Sequence, residues 1–451
     1  MANASLLILL LAATVLFVVI ATGRHRLHPF LVLLTAAYGV GIGAGLPLSQ
    51  VGSAVAFGFG ALMNSIGIVI LAATVISTSL ERSGAAISLA DWVLRIAGNQ
   101  RPALAMNATG YLVSMSIFCE SGFAILAPLT RAVSARTGTS ITVLTVALAT
   151  GLYATYSLAP PTPGPLAATL ALNANIGLVV LLGMIVAVPV ALAGLAWGRV
   201  IDRYGRGVTT SLRPEYVQWD DLVASHGPLP SVTASLMPLV APLALIAAAS
   251  LATLPAFAAA PPRLLSVVGF LGYPATALLV GAFISLSLTG GREGQTSTEW
   301  IGEGLKGGGT MLAITGAGGA LGHVLALARV GEAFGGALAH EHLGLLAPFL
   351  IASVLKTAQG STTVAMVTAA AIVAPIVAQL GYASEIGRAL LVLSIACGGM
   401  AVSHVNDRYF WVVAQGAGLP AATAYRAQTL ATLVQALTGL AIVGVLALLF
   451  A

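Results

Sequence analysis

Four short stretches hold the residue types that could do chemistry in this chain. FCESGF (118–123) sets Glu120 beside Ser121 and Gly122. PPTPGP (160–165) sets Thr162 among prolines. KTAQGSTT (356–363) carries Lys356, Gly360, Ser361, Thr362 and Thr363, and SHVNDR (403–408) carries Asn406, Asp407 and Arg408. Hydroxyl and amide side chains can hydrogen-bond the hydroxyls of a small ligand. Glycine lets a ligand approach the backbone, and the free N–H groups that open a helix favour a carboxylate. A charge at mid-membrane costs ~2.5–3.5 kcal/mol on insertion scales and marks function by default. Glu120 and Asp407 are therefore candidates to carry a coupling ion, with Lys356 and Arg408 as the nearby bases. The plainer uses are local backbone bonds for the hydroxyls, a helix cap for Asp407 and a snorkelling stem for Lys356.

The elements that position these residues must lie in a membrane. Of the 451 residues, 58% are hydrophobic and 7% are charged, whereas soluble domains carry roughly 25% charged residues. So few charges cannot cover a water-soluble surface. The run 5–22 has no charge, and at ~1.5 Å per residue it nearly spans a ~30 Å hydrocarbon core. It has no basic segment ahead of it, and apolar segments continue to the end of the chain, so a signal peptide fits poorly. The apolar runs are long and do not alternate, which favours helices over barrel strands. The net charge of +5 fits cytoplasmic loops rather than nucleic acid. Cys119 and Cys397 make no disulfide framework and no metal spacing.

The pattern divides near its middle. Residues 198–230 form the only long polar connection and read as a cytoplasmic linker between a first repeat, 1–197, and a second, 231–451. GFGALMNSIGIVILAATVIS (58–77) resembles GLKGGGTMLAITGAGGALGH (304–323), ERSGAA (81–86) lines up with ARVGEA (328–333), and Ser121 lines up with Ser361, all at nearly one offset. The first repeat reads as scaffold helices within 1–80 (5–22, 28–46 and 52–80), an interfacial helix at 84–97, a re-entrant hairpin at 102–136 with its tip at 118–122, a broken helix at 140–172 and a helix at 176–197. The second reads as scaffold helices within 231–328 (231–257, 264–289 and 305–328), an interfacial stretch at 329–343, a hairpin at 345–380 with its tip at 357–363, a broken helix at 385–417 and a last helix at 425–450. With the amino terminus outside, only Arg263, Arg329 and Arg388 among the loop bases fall outside, as the positive-inside rule asks. The halves then have opposite topology. The expected fold is an all-α integral membrane protein of two inverted-topology repeats, each with scaffold helices, a re-entrant hairpin and a broken helix, which is a transporter pattern.

Other motifs lead elsewhere. TGAGGALG (315–322) lacks the full dinucleotide spacing and suits close helix packing. His340 and His342 flank Glu341 in an isolated cluster that does not make a convincing metal site. No phosphate-binding loop occurs, and no nucleophile–base pairing supports an enzyme.

At the four stretches the chain resembles the gluconate permease family, the gluconate:proton symporters. The resemblance rests on PPTPGPLAATLALNANIGLVVLLGMIVAVPVALAGLAWGR (160–199), KTAQGSTTVAMVTAAAIVAP (356–375) and SHVNDRYFWVV (403–413), with LERSGAA (80–86) and GAGGALGHVL (316–325) in support. It implies proton-driven uptake of gluconate or a similar small hydroxylated monocarboxylate across a bacterial inner membrane. Through a wider ion-transporter superfamily it implies a homodimer, a scaffold domain, and a transport domain moving as an elevator. The expected substrate contacts are Ser121, Gly122, Thr162, Gly360, Ser361, Thr362 and Asn406. Glu120 is the first choice for the coupling group and Asp407 the second, with Lys356 and Arg408 as charges near the site. No cofactor is expected beyond the coupling ion, a proton with sodium as the alternative. A polar amino acid such as D-serine is the alternative substrate, and a channel is the less favoured class. Three residues depart from the family's usual pattern. Glu120 lies in FCESGF where an Asp-containing FDVGF-like segment is common. Thr162 replaces a frequent His, and Lys356 a frequent Arg.

Overall fold

Long runs of Leu, Val, Ile and Ala with few breakers satisfy their own backbone only as helices once water is absent. The computed structural model describes residues 4–97, 101–115, 117–203, 228–252, 261–289, 296–330, 344–405 and 407–450, and every regular element among them is helical. Among the described residues, six helices are long and apolar enough to cross a membrane, or up to eight if each of two bent pairs is one span.

The first half begins with α1 (Ala4–Val19), which runs on as a π-helical turn, then α2 (Pro29–Gly43), α3 (Leu48–Arg82) and α4 (Ala85–Ala97). It continues with α5 (Pro102–Val113), α6 (Cys119–Thr137), α7 (Ile141–Leu158), α8 (Pro163–Ala171) and α9 (Ile176–Arg203). The second half holds α10 (Val232–Ala252), α11 (Pro262–Leu271), α12 (Pro274–Leu286), α13 (Ser297–Leu327), α14 (Leu346–Gln359) and α15 (Thr362–Val373). It ends with α16 (Glu385–Met400), α17 (Arg408–Gly416), the single turn α18 (Ala421–Ala424), a π-helical turn at Tyr425–Thr429 and α19 (Leu430–Phe450).

Burial separates lipid-facing helices from a protein-sheathed centre. Every residue of α7 is buried, whereas Val232–Ala249 of α10 is 28% buried. Leu181, Ile185 and Val188 of α9 and Phe283 of α12 turn outward. The broken elements cross between halves: α6 packs on α17, and α15 packs on α8.

The most extensive helix pairing joins α3 to α13. The two run antiparallel, with Gly58 at Gly319 and Val75 at Gly304. A Cβ on Gly319 would stand 2.7 Å from the Gly58 carbonyl oxygen, and one on Gly304 would stand 2.9 Å from the Val75 Cα. The glycine-rich run 315–322 thus serves helix packing, where small residues let backbones approach.

The observed elements differ from the sequence reading in several places. The first hairpin turns between Val113 and Cys119, ahead of the expected 118–122, and Cys119–Gly122 forms the first turn of α6. Ser and Gly are weak formers in a helix interior, but in the first turn the N–H groups have no intrahelical partner to lose. The break expected over 160–165 ends at Thr162, because Pro163 and Pro165 sit in the first turn of α8, where proline is tolerated. The helix expected over 52–80 bends by 49° between Asn64 and Gly67, and the one expected over 264–289 bends by 64° ahead of Pro274. The helix expected to stop at 197 continues to Arg203, so the linker begins later. Residues 204–227 of the linker, 331–343 of the second interfacial stretch with His340, Glu341 and His342, and Asn406 lie outside the described residues.

Gly319→Leu is expected to destabilise the protein by about 1–3 kcal/mol through overpacking. Gly309→Ala points into open space and should stay within about 0.5 kcal/mol of the parent. Thermal unfolding of both purified variants in one detergent checks the order.

Candidate functional site

The second hairpin supplies a cation. Helix α14 ends at Gln359, and Gly360 takes φ +71°, a left-handed conformation that glycine adopts without strain. Ser361 then caps α15, its Oγ accepting the Val364 N–H at 3.4 Å. This turn holds Lys356, one helical turn back, with its side chain fully buried. Lys356 Nζ donates to the Gly360 carbonyl at 3.4 Å.

The break between α16 and α17 supplies the anion. Val402 has φ +51°, an outlier for a β-branched residue. Hydrogen bonds from the last membrane helix hold this backbone: Thr432 Oγ1 accepts the Ser403 N–H at 3.0 Å, and Thr429 Oγ1 donates to the Ser403 carbonyl at 2.5 Å. His404 Nε2 lies 2.9 Å from the Thr357 carbonyl and ties the break to α14. Asp407 then caps α17, its Oδ1 accepting the Tyr409 N–H at 3.0 Å.

The two meet as a buried ion pair. Lys356 Nζ stands 2.6 Å from Asp407 Oδ2, and Asp407 is 3% exposed. Ser403 Oγ donates to the same Oδ2. Removing two charges from water costs several kcal/mol per ion, and their attraction offsets this only with close geometry and further hydrogen bonds. Here the carboxylate accepts from three donors. The ammonium also stands 5.8 Å from the centre of the Tyr153 ring, within cation–π range.

Tyrosines of α7 and α17 surround the pair. Tyr153 stacks on Tyr409 with ring centres 5.1 Å apart, and Tyr409 OH donates to the Ala149 carbonyl at 2.8 Å. Tyr153 OH shares a hydrogen bond with Thr362 Oγ1 at 2.7 Å, and Tyr156 OH shares one with Thr363 Oγ1 at 2.8 Å. The two threonines of the hairpin thus bond across to α7 rather than to their own helix. Gln359 has both amide atoms buried and without a hydrogen-bond partner among the described residues. Gln359 ends α14, three residues after Lys356.

The first half contributes less polar contact. Glu120 lies in the first turn of α6, where the helix dipole favours an acid, and the Cys119 thiol donates to its Oε2 at 3.4 Å. Cys119 is also within electrostatic reach of Asp407 and Lys356, so both acids border one cluster. Ser121 faces Glu81 on α3. Gly122 serves packing, since a Cβ there would stand 2.9 Å from Leu152 Cδ2. Thr162 is buried and donates to its local Ala159 carbonyl at 2.7 Å. Arg408 opens α17 and is exposed. Beside the cluster a cavity lined by Ile70, Phe118, Tyr156, Pro161, Thr162 and Leu239 is almost wholly apolar.

The sequence reading brought Lys356, Gly360, Ser361, Thr362 and Asp407 to one place, and the structure groups these five. It missed Tyr153, Tyr156, Ser403, Gln359 and Tyr409. The available signal was LYATYSL (152–158), which spaces two tyrosines one turn apart in an otherwise apolar helix.

Comparison with known proteins places the chain. The sequence profile of the GntP family permeases matches residues 5–449. The chain belongs to the GntP permease family. It is therefore a multi-pass membrane permease, and the family is one of transporters rather than enzymes. An uncharacterised permease of Haemophilus influenzae is 34% identical over 88% of this chain and 83% of its own length. A gluconate permease of Pseudomonas aeruginosa is 29% identical over 99% of both chains. The D-serine transporter DsdX of Escherichia coli is 29% identical over 96% of both. Among solved structures, Neisseria gonorrhoeae MtrF, described as illuminating a class of antimetabolite efflux pumps, superposes with a TM-score of 0.64 at 14% identity. That match covers 94% of this chain and 96% of MtrF, and it bears on the fold alone.

Lys356→Met leaves Asp407 buried without its counter-charge and is expected to destabilise the protein by about 3–5 kcal/mol. Adding Asp407→Asn should restore most of that loss, because the amide still caps α17. Thermal unfolding of the single and double variants measures the coupling.

Proposed function

We propose that this permease is a secondary active transporter that takes up gluconate or a similar small hydroxylated monocarboxylate together with protons. The observation that carries the reading is the buried Lys356–Asp407 pair, set where a hairpin turn meets a helix break. A lysine held in a water-poor site is a docking point for a carboxylate. The hydroxyls of Ser361, Thr362, Thr363, Tyr153 and Tyr156 and the unpartnered Gln359 amide supply donors and acceptors for substrate hydroxyls. Gly360 belongs to the same contact set. Ser121, Gly122, Thr162 and Asn406 stay in the proposed set as expectations from the sequence. The naming of relatives as gluconate permeases supports the substrate class.

The architecture we propose is a pair of inverted repeats with elevator-type alternating access. Two contacts support it: the antiparallel pairing of the similar segments in α3 and α13, and the exchange of partners in the α6–α17 and α15–α8 packings. Helices α3 and α13 belong to the scaffold. The hairpins α5–α6 and α14–α15 and the broken helices α7–α8 and α16–α17 form the moving part. A homodimer in a bacterial inner membrane belongs to the same proposal. Helix α11, which buries none of its residues, offers an apolar face for a second copy.

A second reading has its own observation. The pair presents both signs of charge, so a zwitterion could set its carboxylate on Lys356 and its ammonium on Asp407. A polar amino acid such as D-serine fits that arrangement, and one relative is named for it.

Uptake of labelled gluconate into proteoliposomes is expected to be concentrative under an inward proton gradient and absent under a sodium gradient alone. Accumulation driven by sodium alone would replace the proton as the coupling ion. Competition by D-serine but by no aldonate would favour the second reading. Thr362→Ala and Ser361→Ala should each weaken gluconate binding by about 3–10-fold, in keeping with a net hydrogen bond of about 0.5–1.5 kcal/mol.

A further inference from the structure

We propose that the substrate carboxylate displaces Asp407 from Lys356 and that Asp407 takes the coupling proton, so that one proton accompanies each carboxylate and no net charge moves. This rests on the carboxylate reading above. It assigns the coupling role to a charge exchange at one lysine.

Lys356 is fully buried and Asp407 is 3% exposed, and they are 2.6 Å apart. A carboxylate that reaches Lys356 must compete with Asp407 for the same ammonium hydrogens. If it wins, Asp407 is left as a buried anion without its cation. Breaking one side of a buried pair costs roughly 3–5 kcal/mol, and a proton on the released carboxylate removes that penalty. The balance is simple. Before binding, an ammonium faces the Asp407 carboxylate. After binding, the same ammonium faces the substrate carboxylate, and Asp407 is a neutral acid. One O–H bond forms, the proton comes from the same side as the substrate, and the site's charge is unchanged.

The local geometry accommodates both states. Oδ1 of Asp407 accepts the Tyr409 N–H, so the cap on α17 survives protonation at Oδ2. Ser403 Oγ now donates to Oδ2. A hydroxyl can also accept, so the same contact persists with the proton on Asp407. The exchange needs little movement of regular structure. Lys356 and Asp407 are each next to irregular backbone, at Gly360 and at Val402–Ser403, rather than locked inside two packed helices. Among the described residues, the other titratable groups near the pair are Glu120 and Cys119 of α6, Tyr153 and Tyr156 of α7 and Tyr409 of α17, with His404 on the break itself and Arg408 next to Asp407. Of these Glu120 is the one rival carboxylate.

The test counts protons. Gluconate is titrated calorimetrically into the purified full-length protein near pH 8, in two buffers of different ionisation enthalpy. The wild type is expected to take up about one proton per gluconate, and its affinity should weaken about tenfold per pH unit as pH rises. Asp407→Asn should bind gluconate with no proton uptake and with an affinity independent of pH. Gluconate binding by the wild type without proton uptake would overturn the exchange and leave the substrate reading standing. Proton uptake lost in Glu120→Gln and kept in Asp407→Asn would move the role to Glu120 and also overturn it. No gluconate binding by the wild type would defeat the substrate reading itself. Should Asp407→Asn not fold, Glu120→Gln and His404→Gln are counted instead: uptake kept in both supports Asp407 as the acceptor, and uptake lost in either overturns the exchange.

Discussion

A helix interrupted inside a membrane has backbone groups that lipid cannot satisfy. This constraint organises the molecule. The breaks at 159–162, 360–361 and 401–407 and the hairpin turn between Val113 and Cys119 all need partners from protein. The chain meets the need by surrounding them. The helix that leads into the first break is buried along its whole length, and the last membrane helix turns two threonine hydroxyls onto Ser403. The outer helices α1, α9, α10 and α19 then meet the lipid, and polar chemistry is confined to the centre.

Within that centre charge acts as a local fastener. Lys356 and Asp407 are far apart in sequence, yet they join the hairpin to the break more directly than any apolar contact between the two. The surrounding tyrosines give each polar group a second attachment. Tyr153 stacks on Tyr409 and bonds to Thr362, while the Tyr409 N–H donates to the Asp407 carboxylate that caps α17. The α15 threonines, the α17 cap and the α7 aromatics therefore form one connected network.

Much of this was legible in the sequence because charge is so scarce. Lys356 and Asp407 stand out in a chain with 7% charged residues, and Gly-Ser or Pro-rich runs beside them announce interruptions. What was not legible depends on long-range contacts or on position within a turn. Pairing of Lys356 with Asp407 requires the fold. Tyr153 and Tyr409 read as core aromatics until their hydroxyls find partners. Ser121 and Gly122 look like a break, but a helix tolerates them in its first turn, so the real turn fell a few residues earlier. The bend near Gly67 was hidden by apolar residues on both sides. Glu120 was conspicuous for its charge, and its thiol neighbour Cys119 is simply the residue before it.

The seam between α3 and α13 bears on how this sequence can drift. At most helix contacts a larger side chain on one face can be matched by a smaller one opposite. At Gly58 and Gly319 both partners are already glycine, and a Cβ on either would meet the other's carbonyl oxygen at 2.7 Å, besides the side chains of His323 and Leu62. No smaller residue exists to absorb a change on either side. Pairwise compensation, the usual route by which packed positions exchange residues over time, is closed at this crossing. The neighbouring lipid-facing positions remain free to vary among apolar residues.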